Sequence, residues 1–125
     1  MRWKLEADRP IYIQLMEQIQ LLIIIGIYPP GSKLPSVRDI AAEAAVNPNT
    51  MQRAFSQLEI EELIHSDRTK GRFVTEDTQK IFRMKNALAV HDTQDYIQRM
   101  KKLGYDRNQI DFLIDTVIKE DKYIE

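Results

Sequence analysis

A mainly α-helical fold with one small β-hairpin is what the 125 residues predict, and three observations predict it. Two helix-start signals, at Ser36 and at Asn47-Pro48, lie a short helix apart. A stretch from Leu63 to Thr75 alternates apolar ends with a basic, glycine-containing middle. Residues 76–125 hold no proline and one glycine, Gly104, so they read as long helices. With 43% apolar and 30% charged residues, the chain has the balance of an ordinary soluble protein with one domain and an appendage.

Residues 1–9 form a lead. Met1-Arg2-Trp3-Lys4 runs into acidic and polar residues and shows no apolar export core. A helix follows from about Pro10 to Ile25, with Ile11, Leu15, Ile19, Leu22 and then Ile25 or Gly26 as its inward stripe. Leu21, Ile23 and Ile24 fall outside that stripe. A helix apolar all round in its last turns needs a second covering surface, so the C-terminal tail or a partner subunit is expected on Leu21 and Ile24. The apolar run Leu21–Ile25 is far shorter than the roughly 20 residues that span a bilayer, and no membrane partner is expected.

Next comes a helix pair, about 36–45 and 48–61. Ser36 is a good N-cap, and Asp39 is placed to reach back to it. Ile40, Ala41, Ala44 and Ala45 give a narrow stripe of mostly small side chains, which lets another helix cross closely. Val46-Asn47-Pro48 interrupts, because the residue before a proline is biased out of the helical region; Asn47 caps and Pro48 takes the first helical position. In the second helix Met51, Ala54, Phe55 and Leu58 recur at i, i+3, i+4 and i+7, so they are buried. The opposite side presents Asn49, Thr50, Gln52, Arg53 and Gln57. Asn and Gln pair two-pronged with adenine, Arg with guanine or phosphate, and Thr hydroxyls and first-turn amides with phosphate oxygens. Two helices in this order form a helix-turn-helix, with double-stranded DNA as the leading partner.

The hairpin, about 63–75, follows directly and reads as a wing: Leu63 to Ser66, a turn over Asp67–Arg72, then Phe73 to Thr75. Arg68, Lys70 and Arg72 face only Asp67 there, a local positive excess suited to a groove and its phosphates. Residues 76–125 are expected to form an arm of two helices, or three if the first is kinked. The first runs from about Asp77 to Leu103 with apolar Ile81, Met84, Leu88, Ile97, Met100 and Leu103. The polar interruption at His91 to Asp95 leaves two alternatives, one continuous helix or a break or kink there with Thr93 as the restart cap. The last runs from about Arg107 to Lys122, capped by Asp106 with Gln109 as its reciprocal partner, and carries Ile110, Leu113, Ile114, Val117 and Ile118 on one face. Two such helices cannot enclose a core alone, so they are read as a dimerisation arm.

From Pro10 to Val74 the chain resembles the winged helix-turn-helix domain of GntR-type bacterial transcription regulators. The resemblance lies in Pro10-Ile11-Tyr12, a helix ending at Gly26, Pro30-Gly31-Ser32-Lys33-Leu34-Pro35-Ser36-Val37-Arg38, Asn47-Pro48-Asn49-Thr50, Leu58 and Lys70-Gly71-Arg72-Phe73-Val74. The Asn-Pro-Asn-Thr opening with a short tail is similar to the YtrA-type subfamily. The resemblance implies that Arg38, Asn49, Thr50, Gln52 and Arg53 face DNA, with Gly71 at the wing tip. Together with the two caps and the wing cations, the expected DNA-binding set is Ser36, Arg38, Asn47, Asn49, Thr50, Gln52, Arg53, Lys70, Gly71 and Arg72. Three departures stand out. Pro48 occupies the place of a DNA-contacting arginine found in several members. Glu62 replaces a usual glycine, at about 1 kcal/mol if that residue is left-handed, so a remodelled turn is expected there. Arg72 replaces a small hydroxyl residue and is expected to strengthen backbone contact.

Charge constrains the mechanism. The net charge is −1, and residues 1–75 carry nine basic and nine acidic residues, so binding must rest on a local patch. Two copies on one duplex would add their contacts, which makes a homodimer part of the expectation. Its interface is expected at Leu21, Ile24, Leu88, Ile97, Met100, Ile110, Leu113 and Val117. A two-fold dimer fits an inverted-repeat operator, repression is the expected outcome, and the YtrA-type resemblance implies a neighbouring transporter operon. The alternative is a winged-helix module that docks a partner protein through its apolar first helix.

No catalytic or metal site is expected. The chain has no cysteine, no phosphate-cradling glycine loop, and two histidines. His65 is read as a strand-packing residue, and His91 with Asp92 and Asp95 as a solvated turn. The absence of cysteine fits a reducing cytoplasm. No cofactor is expected; any inducer would sit between the tail helices or at the dimer interface.

Overall fold

The computed structural model describes residues 3–121. In chain order they form α1 (Ile11–Ile24), α2 (Val37–Ala44), α3 (Pro48–Ile60), β1 (Ile64–Asp67), β2 (Gly71–Val74), α4 (Thr78–Lys102) and α5 (Arg107–Asp121). Two compact units, Met1–Met84 and Lys85–Glu125, divide the chain within α4.

The first unit is built around α3, against which α1, α2 and β1 pack. Phe55, Met51, Ala54 and Leu58 are fully buried, as their spacing requires, and meet Leu15, Ile19, Ile40, Ala41, Ile64 and Val74. Burying each large side chain here is worth about 1.5–3 kcal/mol. The α1 stripe is wider than expected. Ile23, expected outside it, is only 2% exposed, while Ile25 is 56% exposed. Ile23 stands four residues after Ile19 and eight after Leu15, which is helical spacing and keeps it on the buried face. The lead is strapped to the same helix: Trp3 and Leu5 pack on the core, and buried Gln14 fastens the backbone behind them. Gln14 Nε2 donates to Glu6 O (2.7 Å) and Arg9 O (2.9 Å), while its Oε1 accepts from Glu6 N (2.6 Å). Gln18 Nε2 donates to Lys4 O at 2.6 Å.

The two short helices begin and end as local chemistry dictates. Ser36 Oγ accepts from Asp39 N at 3.0 Å, but Asp39 makes no return bond, so this cap is one-sided. Asn47 Oδ1 accepts from Asn49 N at 2.8 Å, with Pro48 at the first helical position. Between them Ala45 turns the chain in the left-handed region, φ 57°, and Val46 N donates to Ala41 O at 3.0 Å. The end of α3 uses the same device. Glu62 has φ 62° and Leu63 N donates to Leu58 O at 3.0 Å, so the left-handed turn persists with a glutamate in it and is not remodelled.

β1 and β2 pair antiparallel with Ile64 opposite Val74 and Asp67 opposite Gly71. A third segment joins them. Leu34 N donates to Arg72 O (2.9 Å) and Val74 N to Ser32 O (2.9 Å), so the strand-like stretch before α2 flanks β2 on its other side. A two-stranded hairpin alone is marginal in water; this third segment and the buried Leu34 anchor it.

Helix α4 is unbroken through His91–Asp95, so of the two alternatives the arm has two helices and not three. Nothing in that polar stretch removes a backbone donor. Thr93 Oγ1 donates back to Ala89 O (2.7 Å) and His91 faces Asp95 across one turn (3.4 Å), both compatible with a continuing helix. Gly104, with φ 91°, ends the element, and the reciprocal cap forms as the sequence suggests: Gln109 N donates to Asp106 Oδ1, and Asp106 N to Gln109 Oε1, each at 2.9 Å. In the second unit Ile110 is buried and Ile97, Met100 and Leu113 are half-buried, while Leu103, Phe112, Ile114 and Val117 remain exposed. Leu88 is likewise exposed. Lys122 lies outside the described residues.

Candidate nucleic-acid interface

Three pieces of the first unit converge beside the exposed side of α3. At its start, Asn47, Asn49, Gln52 and Arg53 are exposed and Thr50 is half-buried. The amides of this first turn are already used: Asn49 N is held by the Asn47 side chain, Thr50 N donates to Asn47 O at 3.0 Å, and Pro48 has none. These amides thus have partners within the chain, and the side chains around them carry the remaining free donors. Asn47 retains its amide N–H groups, because only its oxygen is engaged, and Ser36 likewise keeps its hydroxyl proton to donate.

The start of α1 supports Arg53. A groove lined by Pro10, Ile11, Tyr12, Asn49, Thr50 and Arg53 runs between the two helix starts, and the Arg53 guanidinium carbon stands 3.7 Å from the Tyr12 ring centroid. A second groove, between the start of α2 and the wing, is lined by Lys33, Ser36, Val37, Asp39, Gly71 and Arg72.

At the wing tip Asp67 Oδ1 accepts from Thr69 N and from Thr69 Oγ1, both at 3.0 Å, which shapes the three-residue turn. The backbone N–H of Thr69 and then its hydroxyl hold the Asp67 carboxyl below its usual range. Gly71 has φ 106°, and the Lys33 stem lies over it, so that a Cβ there would stand 3.2 Å from Lys33 Cε. Lys33 is a cation that sequence reasoning did not assign to this surface. Its only signal is its place next to Leu34, whose pairing with β2 needs the fold to be known. Arg38, Arg68, Lys70 and Lys33 are exposed and make no ion pair among the described residues.

Arg72 is placed differently from the other cations. It turns back onto α3: Nε donates to Glu59 Oε1 at 2.6 Å, Nη2 to Gln52 Oε1 at 3.5 Å, and the guanidinium lies 5.4 Å from the Phe55 ring centroid. Ser66 Oγ donates to the same Glu59 oxygen at 2.6 Å. Burial alone would raise the Glu59 carboxyl, but the hydrogen bonds from Ser66 and Arg72 and the Arg72 charge outweigh it and hold it low. His65 stacks on Phe73 across the strands, ring centroids 5.9 Å apart, and its exposed ring is thereby a packing element of the wing.

The profile of the gntR family of bacterial regulatory proteins matches residues 11–74, the helix pair and wing just described. The chain belongs to the GntR family. Among curated GntR relatives, the HTH-type transcriptional regulator YhcF of Bacillus subtilis is 32% identical over 105 residues, 84% of this chain and 87% of its own. The HTH-type transcriptional repressor YtrA of the same organism is 41% identical over 73 residues, 58% of this chain and 56% of its own. Among solved structures, a GntR family transcriptional regulator from Listeria monocytogenes superposes with a TM-score of 0.86 at 37% identity, covering 90% of this chain and 99% of that one. The DNA-binding domain of AraR in complex with its operator ORR3 superposes with a TM-score of 0.50 at 25% identity, covering 60% and 93%. GntR proteins are DNA-binding transcriptional regulators and not enzymes, and the winged helix-turn-helix is their DNA-binding part. No helix among the described residues is long and apolar enough to cross a membrane.

Proposed function

We propose that the chain is a sequence-specific repressor of the YtrA type that binds an inverted-repeat operator as a homodimer. The observation that carries this reading is the exposed side of α3, with Asn49, Gln52 and Arg53 forward, set between unneutralised cations on α2 and the wing. Residues 10–75 form the reading head, 1–9 its lead and 76–125 the dimerisation arm. Asn49, Gln52 and Arg53 read base edges; Ser36, Arg38, Asn47, Thr50, Lys70 and the backbone at Gly71 take phosphates and sugar edges.

Two features support dimerisation. A near-neutral chain needs two copies to hold one duplex. The arm also leaves Leu88, Phe112, Ile114 and Val117 exposed, and Leu21 is 45% exposed, more apolar surface than a monomer gains by showing. Half-buried Ile24, Ile97, Met100 and Leu113 are further interface residues in this reading, while Ile110, buried within the single chain, supports that surface and does not form it. Similarity to a relative named as a repressor supports repression, and the YtrA-type resemblance supports a neighbouring transporter operon as the target.

Selection of bound sequences from a random duplex pool tests DNA binding, symmetry and half-site spacing together. An enriched inverted repeat is the expected result; no preference over random duplex at physiological salt overturns the reading. Ile24→Lys should weaken the dimer in sedimentation equilibrium, and an unchanged dimer constant removes Ile24 from the interface.

A further inference from the structure

We propose that Arg72, clamped by Glu59, is a positioning residue that fixes the Gln52 amide for reading one base pair, and is not itself a phosphate contact. The inference rests on the DNA-binding reading above and concerns how sequence is discriminated.

Two contacts restrain the Gln52 side chain, one of ordinary hydrogen-bond length and one long. Its Oε1 accepts from Arg72 Nη2 at 3.5 Å and its Nε2 donates to Ser56 Oγ at 3.1 Å. Arg is a donor only, so the amide atom facing it must be oxygen, and the orientation of the amide follows from the network. Each end of the amide then has one site left: a lone pair on Oε1 and one N–H on Nε2. That pair matches the N6–H donor and N7 acceptor that adenine shows in the major groove. A long side chain that would otherwise lose rotamer freedom on binding is already ordered, which favours discrimination over mere adhesion.

The other half of the argument is where the Arg72 charge goes. Glu59 Oε1 accepts its Nε at 2.6 Å, both side chains are about three-quarters to two-thirds covered, and Ser66 fixes the same carboxylate oxygen from β1. A guanidinium engaged by a carboxylate, by Gln52 and over Phe55 is neutralised and anchored, whereas Lys70, two residues back, is exposed and unpaired. The wing thus touches the recognition helix directly, and its contribution to specificity passes through Gln52.

The test measures operator binding and base preference for the full chain and for Arg72→Lys, Arg72→Met, Gln52→Ala and Lys70→Met, with thermal unfolding as a folding check. Arg72→Lys keeps the charge and most of the stem but lacks the planar fork whose separate nitrogens reach Glu59 and Gln52 at once. It should lose about tenfold or more of the discrimination at one base pair per half-site, as Gln52→Ala does, with the salt slope of binding unchanged. Arg72→Met should do the same, and adding it to Gln52→Ala should bring no further loss. Lys70→Met, by contrast, should keep the base preference and flatten the salt slope by about 2 for a dimer. Full rescue by Arg72→Lys, or a flattened slope with intact base preference in Arg72→Met, would overturn the proposal and make Arg72 a phosphate contact. Should Arg72→Met fail to fold, Arg72→Lys against Gln52→Ala decides alone. A wild-type chain that enriches no sequence would sink the DNA-binding reading, and this inference with it, in a way distinct from those outcomes.

Discussion

The Arg53 guanidinium stacks on the Tyr12 ring, 3.7 Å from its centroid, and so ties the start of the first helix to the middle of the recognition helix. Cation–π contacts at exposed sites are worth about 0.5–1 kcal/mol. Here the contact also stops Arg53 from sweeping through many rotamers. Tyr12→Leu is expected to weaken operator binding by about two- to fivefold, which is that energy expressed as affinity, while Tyr12→Phe stays near wild type. Fluorescence anisotropy with a labelled operator measures it; equal binding by Tyr12→Leu would mean that the stack does not organise Arg53.

Two non-glycine residues sit in left-handed backbone, Ala45 at φ 57° and Glu62 at φ 62°. Each closes a helix with hydrogen bonds that require that conformation. Replacing either with glycine relieves a cost of about 1 kcal/mol, partly offset by a more flexible unfolded chain. Ala45→Gly should therefore raise the urea midpoint. Glu62→Gly should gain less, because it also removes the 3.6 Å contact with Lys80. A lowered midpoint for Ala45→Gly would show that the turn does not carry the strain assigned to it.

Gln14 is 2% exposed and satisfies three backbone groups of the lead with one amide. Gln14→Leu fills the space but leaves the Glu6 N–H, Glu6 C=O and Arg9 C=O without that partner. A loss of about 1–3 kcal/mol is expected, less if the lead peels away into water and recovers its bonds there. Proteolysis of the lead separates the two: fast cleavage near residues 4–9 in the variant marks detachment, and an unchanged midpoint together with an intact lead would contradict the role given to Gln14.

Glu59 on α3 contributes to the pH dependence of the wing, as Asp67 does at its tip. The Glu59 carboxyl is held below the ordinary value of 4.5 in the folded chain, so the stability it contributes is complete above that value and is lost as pH falls through the lower, folded one. The loss therefore lies in acid, with a flat profile near neutrality. Glu59→Gln should be less stable than wild type at pH 7 and converge on it as pH falls below about 4. Parallel urea-midpoint profiles for the two proteins across that range would rule out the linkage.

Local signals were legible and long-range ones were not. Ser36, Asn47-Pro48 and the Asp106–Gln109 pair act within four residues of their own backbone, so their roles follow from spacing alone. The Met51, Ala54, Phe55 and Leu58 stripe is legible for the same reason. Ile23 belongs to the same kind of signal, since it stands four residues after Ile19, and its 2% exposure corrects its expected place outside the α1 stripe. Arg72 looks like one more wing cation until Glu59, thirteen residues earlier, is brought within 2.6 Å of it. Whether α4 breaks at His91–Asp95 was not legible from polarity alone, because an exposed helix face and an interrupted helix present the same residues there.

Ser32 and Leu34 pair with residues 72 and 74, so the chain closes a ring whose seam is the root of the wing and whose circumference is the helix pair. The wing cannot be folded while α2 and α3 are open, since half of its hydrogen-bonded frame belongs to the segment that leads into them. Amides at Leu34 and Val74 should thus share the slowest exchange class with α3, while the exposed Arg68–Lys70 tip, bonded only to Asp67, exchanges faster. The tip is the one part of this ring whose length can vary without breaking it.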